Sequence, residues 1–133
     1  MVLKTLSPLK QRTKLKNNKI YSLQNIMKID NIKNMEKGWF IGNFEPTLNQ
    51  TDKFEAAVKH YNKGEKEEKH YHKIATEYTC IISGSVTMNG IHYVAGDIII
   101  MEPGEATDFI CNEDGTTNMV IKIPSAKNDK YIC

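Results

Sequence analysis

The sequence predicts an all-β fold in one domain, on three observations. Short runs of branched and aromatic residues recur along most of the chain, each closed by turn residues. Asn89-Gly90 stands between two apolar, branched runs, the strongest short hairpin signal a sequence contains. At 133 residues the chain matches one domain, large enough to bury a core without disulfide or metal staples. In order, Gly38 to Phe44 has the aromatic and branched content of a strand, and Glu45 to Asp52 has turn and loop chemistry. Phe54 to Tyr61 carries alanines that would also suit a helix. Glu65 to Lys69 reads as a charged turn leading into His70. Strands follow at Tyr78 to Ser83, Ser85 to Met88, Ile91 to Val94, Ile98 to Met101, Thr107 to Cys111 and Thr117 to Ile123. Glu102 to Gly104 and Asn112 to Gly115 turn between the later ones.

Charge is unevenly distributed. Residues 1 to 28 hold seven basic side chains and no acid, so a total of +2 leaves −5 on residues 29 to 133. The expected organisation is a basic N-terminal arm over 1 to 28 and a single barrel domain over 29 to 133. The arm reads as a solvated extension, with a strand around Lys19 to Leu23 that adds to the barrel or to a partner; nucleic acid is not the expected partner. Cys80, Cys111 and Cys133 are odd in number and contain no Cys-x-x-Cys pair, which favours a reducing cytoplasm over secretion. No apolar run is long enough to span a membrane, and the N-terminus lacks a secretory apolar segment.

The candidate chemistry lies between Gly64 and Gly84. His70 and His72, two apart on a strand, project from one side, and Tyr71 from the other. Lys73 to Thr76 is long enough to reverse the chain, so that Glu77 returns on a neighbouring strand beside the imidazole pair. Two neutral imidazoles and a carboxylate suit one divalent transition metal (Fe, Mn, Zn, Ni or Co) with positions left open for substrate. Gly64, five residues, His70-Tyr71-His72, four residues, Glu77, six residues and Gly84 resembles the first motif of the cupins. Gly96 to Asp108 is similar to their second motif, with Gly96 and Gly104 in register. It departs from the pattern at Glu102, where a proline is usual, and at Thr107, where the family places a fourth metal-binding histidine. The resemblance covers about half the chain, Lys59 to Ile123, and implies a jelly-roll barrel with a central pocket and with Phe54 to Tyr61 as a strand.

The resemblance makes His70, His72 and Glu77 the expected metal-binding and catalytic residues. Asp108 is the candidate fourth ligand by type, but strand parity turns it away from the pocket unless a bulge or a one-residue shift near Pro103-Gly104 reverses the alternation. Thr107 or water is the alternative, and without either the site is a two-histidine, one-carboxylate face. Cys80 has the opposite parity to Glu77, so it should face away and pack. His60 and His92 are expected at the surface, and Trp39, Phe40 and Phe44 in packing. Three functions fit a cupin of this kind. One is a metal-dependent enzyme on a small oxygen-rich substrate, a sugar or sugar derivative, of isomerase, epimerase or dioxygenase type. Another is a metal-free isomerase or epimerase with His70 or His72 as base, and the third a binding module without turnover. No glycine-rich phosphate loop is present, so Lys59, Lys73 or Lys122 would have to hold any nucleotide-linked substrate. A homodimer paired through edge strands is the expected assembly.

Overall fold

The computed structural model describes residues 27–133 and the backbone of Ile20 and Tyr21. The chain divides after Asn34. In the first part β1 (Ile20–Tyr21) pairs antiparallel with β2 (Lys28–Ile29), and a short 3-10 helix covers Ile32–Asn34. The strand expected near residue 20 thus pairs with its own neighbour in sequence rather than with a barrel strand. The basic residues 4 to 19 lie outside the described residues.

The second part holds ten strands in two antiparallel sheets. The front sheet runs β3 (Trp39–Ile41), β4 (Glu55–Tyr61), β11 (Thr116–Ile123), β6 (Thr76–Ser83), β9 (Ile98–Met101). The back sheet runs β12 (Tyr131–Ile132), β5 (Lys66–Tyr71), β10 (Thr107–Cys111), β7 (Ser85–Met88), β8 (Ile91–Val94). The core joins the sheets: Ile81 and Met101 from the front pack with Val86, Met88, Phe109 and Cys111 from the back. Among the described residues no helix is long and apolar enough to cross a membrane.

Most elements fall where the residue pattern puts them. Phe54 to Tyr61 is strand, because its alanines Ala56 and Ala57 are buried at 3% and 0% exposure where two neighbouring strands crowd β4. The Asn89-Gly90 turn is built with both residues at positive φ, 50° and 78°, as a two-residue hairpin requires. Gly84 carries the chain from β6 in one sheet to β7 in the other, at φ 82° and directly against Thr116.

Two expectations are corrected. Glu65 to Lys69 is not a turn; the turn ends at Glu65, whose N–H donates to the Asn62 carbonyl at 3.1 Å, and Lys66 begins β5. The charge that suggested a turn is the strand's wet face, for only Glu67 and His70 among Lys66 to His70 escape full exposure. Glu77 does not return on a neighbouring strand of the same sheet. It crosses to the front sheet and faces the histidines from the other side of the barrel.

Candidate functional site

Cross-strand partners share a face, so the front sheet's ladder places the interior side chains in rows. One row runs Met101, Glu77, Lys122, Glu55; the next Ile99, Thr79, Val120, Ala57, Trp39; a third Ile81, Asn118, Lys59. On the back sheet, His70 and Thr107 are register partners, and His72 lies one residue beyond the end of β5. His70, His72, Thr79 and Thr107 are all buried, at 9%, 6%, 3% and 8% exposure. Cys80 pairs with Ile98 on the outer face, as parity requires, and His60 and His92 are exposed.

Each imidazole is oriented by a backbone carbonyl. His70 Nδ1 donates to the Glu68 carbonyl at 2.8 Å, and His72 Nδ1 to that of Asp129. A carbonyl can only accept, so in the neutral ring the proton sits on Nδ1 and Nε2 presents a lone pair. Metal-binding histidines are commonly fixed in this way by the second ring nitrogen. Burial holds His70 below the ordinary histidine pKa and favours the neutral form.

Glu77 meets this arrangement with Oε1 at 3.2 Å from His72 Nε2. Its Oε2 accepts the Thr79 hydroxyl at 3.2 Å, and Lys122 Nζ stands 3.9 Å from Oε1. Burial pushes the Glu77 carboxyl upward, but His72, Lys122 and Thr79 outweigh it, and the pKa lies below the usual carboxylate range. In the neutral ring, with Nδ1 committed to a carbonyl, the Nε2 lone pair faces the Glu77 carboxylate. That contact is favourable only with a cation between the two atoms, either a proton or a metal ion.

The spacing fits an ion. Two ligand atoms about 2.1 Å from one metal stand roughly 3.0 to 3.4 Å apart across octahedral and tetrahedral angles, and their imidazole rings, where both are histidines, roughly 4.6 to 5.3 Å apart. His72 Nε2 and Glu77 Oε1 are at 3.2 Å, and the His70 and His72 ring centroids at 5.3 Å. Among the described residues no three His, Cys, Asp or Glu side chains form a group that could hold a metal ion, so the formed element is the His72–Glu77 pair, with His70 beside His72.

No protein-family model matches the chain, and no curated protein does. Solved structures do. A double-stranded β-helix protein from Klebsiella pneumoniae is 24% identical, with a TM-score of 0.55 over 62% of this chain and 72% of that one. The chain has the cupin fold. The DMSP lyase DddQ from Ruegeria pomeroyi is similar over 69% of this chain and 48% of its own, at 18% identity and TM-score 0.57. Oxalate decarboxylase from Bacillus subtilis matches 61% of this chain and 24% of its own, at 17% identity and TM-score 0.51. The chain thus spans about half the length of the lyase and a quarter of the decarboxylase.

In this cupin barrel the fourth-histidine position is Thr107, and its hydroxyl donates to the Asp108 carbonyl at 2.8 Å. Asp108 is not in the site. It is exposed, and its carboxylate accepts the Asn89 N–H at 2.7 Å, closing the hairpin. The reason is where the bulge falls. Between the pairs Thr107 with His70 and Phe109 with Glu67, β10 advances two residues and β5 three, so the extra residue is on β5. Alternation on β10 stays intact, and Thr107 and Phe109 face in while Asp108 faces out.

Several site residues escape sequence reasoning. Thr79 was within reach, since it is two residues from Glu77 on the same strand face. Asp129 carries no local signal: its carboxylate, 7% exposed, accepts the N–H groups of Lys73, Ile74 and Ala75, while its carbonyl holds His72. It clamps the β5–β6 turn from the chain's far end. Trp39 lies on the inward face, with Lys59 Nζ 5.1 Å and Lys122 Nζ 5.0 Å from its ring, so it seats two cations as well as packing on Phe44. Lys73 instead lies over Tyr131, 4.2 Å from the ring. Asn118, 1% exposed, has no hydrogen-bond partner for either amide atom among the described residues. A cavity of about 170 Å³ opens beside His72, lined by Glu55, Lys122, Asn128, Asp129 and Lys130.

The Asp129 clamp has a measurable signature. Burial raises its pKa, but the three backbone donors, Ala75 first, prevail and lower it. A carboxyl depressed on folding adds stability that is complete above its unfolded pKa, about 3.9, and lost as pH falls through the folded value. Asp129→Ala should cost about 2 to 4 kcal/mol at pH 7, from the loss of charge-assisted bonds. Urea midpoints taken from pH 7 down to pH 3 should converge with those of the parent only below about pH 4.

Proposed function

We propose that the chain is a divalent-metal-dependent cupin enzyme acting on a small, oxygen-rich substrate of the sugar or sugar-acid kind, by isomerisation or epimerisation. The observation that carries this reading is the 3.2 Å contact between His72 Nε2 and Glu77 Oε1, with both Nδ1 atoms already committed to carbonyls. His70, His72 and Glu77 would hold the ion. When bound, such an ion polarises a carbonyl or hydroxyl oxygen of the substrate and makes the adjacent C–H more acidic.

The chain's own groups then have distinct tasks. The carbonyls of Glu68 and Asp129 keep the two Nε2 atoms aimed inward. His72, Lys122 and Thr79 hold the Glu77 pKa down, favouring the ionised state that binds a cation or accepts a proton. Thr107, with its proton donated to a backbone carbonyl, offers only an acceptor to a substrate hydroxyl. That two of the similar structures are enzymes on small molecules, a DMSP lyase and an oxalate decarboxylase, supports a catalytic over a binding-only role.

A second reading follows from the same contact with a proton in place of the ion. His72 and Glu77 would then be the acid–base pair of a metal-free isomerase. Elemental analysis of untagged protein purified without added metal or chelator separates the two. The metal reading predicts near one transition metal per chain; protein that is empty and refuses added metal would overturn it and leave the acid–base pair.

A further inference from the structure

The cavity beside His72 has two kinds of wall. The barrel supplies Glu55, His72 and Lys122, and the C-terminal segment supplies Asn128, Asp129 and Lys130. That segment is tied in place along its length. Ser125 N–H donates to the Asp52 carbonyl at 3.0 Å, and Ser125 Oγ accepts from Asn43 N–H and donates to Glu55. Asp129 clamps the β5–β6 turn, Tyr131 stacks on Tyr71 with centroids 5.4 Å apart, and β12 pairs with β5. Asn128 takes a left-handed φ of 57°, a conformation asparagine tolerates, where the chain turns towards Asp129 and Lys130.

The carboxylates around this cavity are already engaged: Glu55 by Ser125, Glu77 by His72 and Thr79, and Asp129 by three N–H groups. The cations are not matched in the same way. Lys122 comes no closer than 3.9 Å to Glu77, and Lys130 forms no ion pair among the described residues. A divalent ion on His72 and Glu77 would add to this excess of positive charge.

We infer that the ligand of this pocket is a small carboxylate anion, gripped between Lys122 and Lys130 across the cavity beside His72, and that the C-terminal segment is the element that selects it. The inference rests on His72 and Glu77 being the reacting end of the pocket. A compact carboxylate suits a cavity of about 170 Å³ better than a larger nucleotide-linked group. A phosphate would call for a cradle of backbone N–H groups, and the trio of Lys73, Ile74 and Ala75 is already filled by the carboxylate of Asp129.

Calorimetric titration of the full chain tests this with three hydroxy acids, glycolate, glycerate and gluconate, each against its reduced polyol, ethylene glycol, glycerol and sorbitol. At least one acid should bind saturably and tenfold or more tighter than its polyol. Lys130→Met should lose that tenfold for the acid, leave the polyol unchanged and leave the metal content unchanged. Lys122→Met, the second variant, should lose acid affinity as well. Acid and polyol within threefold in every pair would overturn the inference. So would Lys130→Met binding the acid as the parent does, or inorganic phosphate competing at equal affinity. Protein that prefers the acid but holds no metal would sink the metal reading alone, and metal-loaded protein without the preference would sink this inference alone.

Discussion

Replacing His72 with alanine should lower transition-metal affinity by about 100-fold or more, a larger loss than the 10- to 100-fold typical of removing a group that merely orients a ligand. The expected size follows from what leaves with the ring. The Nε2 atom 3.2 Å from Glu77 is removed, so one of three donors goes and the geometry of a second is released. Glu77 also loses the strongest of the groups that hold its pKa down against burial, leaving Lys122 and Thr79. With fewer groups favouring its charged form, Glu77 is left a weaker partner for a cation. Competition against a chromophoric chelator reads the change. His60→Ala, at an exposed histidine bonded to Thr117, should titrate like the parent.

Gly84→Ala should destabilise the barrel by about 3 kcal/mol or more, combining strain at a left-handed φ with overpacking. A Cβ at Gly84 would stand 2.1 Å from Thr116 Oγ1 and 2.7 Å from Thr116 Cα, and a backbone atom cannot swing aside. Thr116 is itself fully buried, and its hydroxyl donates to the Glu113 carbonyl at 2.7 Å. Gly64 is the control. It also has a positive φ, 89°, but a Cβ there meets nothing within 4 Å, so Gly64→Ala should cost only about 1 kcal/mol. Thermal melts of the two variants separate backbone strain from steric conflict. Equal losses would mean that the crossing between sheets is not packed as described.

These two glycines show what kind of information a sequence holds. Gly64 and Gly84 frame the motif at a legible spacing, yet one is needed only for a turn and the other for a crossing against a strand 32 residues further on. That His70 and His72 face the same way was legible because alternation along a strand is local. The sheet that Glu77 joins was not, because that depends on which strands pair. β5 was misread as a turn because its outer face is charged and its bulge breaks the alternation at Glu68 and Lys69. That same bulge keeps Asp108 outside, since it lies on β5 and leaves β10 in regular alternation. The placement of Asp129 and Lys130 beside the site was not legible. Their roles arise from a two-residue strand that pairs the chain's end with β5, and from contacts spanning more than fifty residues.

The central claim, that His70, His72 and Glu77 hold one divalent metal, is tested most directly by anomalous diffraction from crystals of the protein soaked in cobalt(II) or manganese(II). The account predicts a single strong peak inside the barrel, about 2.1 Å from His72 Nε2 and from a Glu77 oxygen, with His70 Nε2 completing the face. A map without a peak between His72 and Glu77, or with the ion bound elsewhere on the chain, would contradict it.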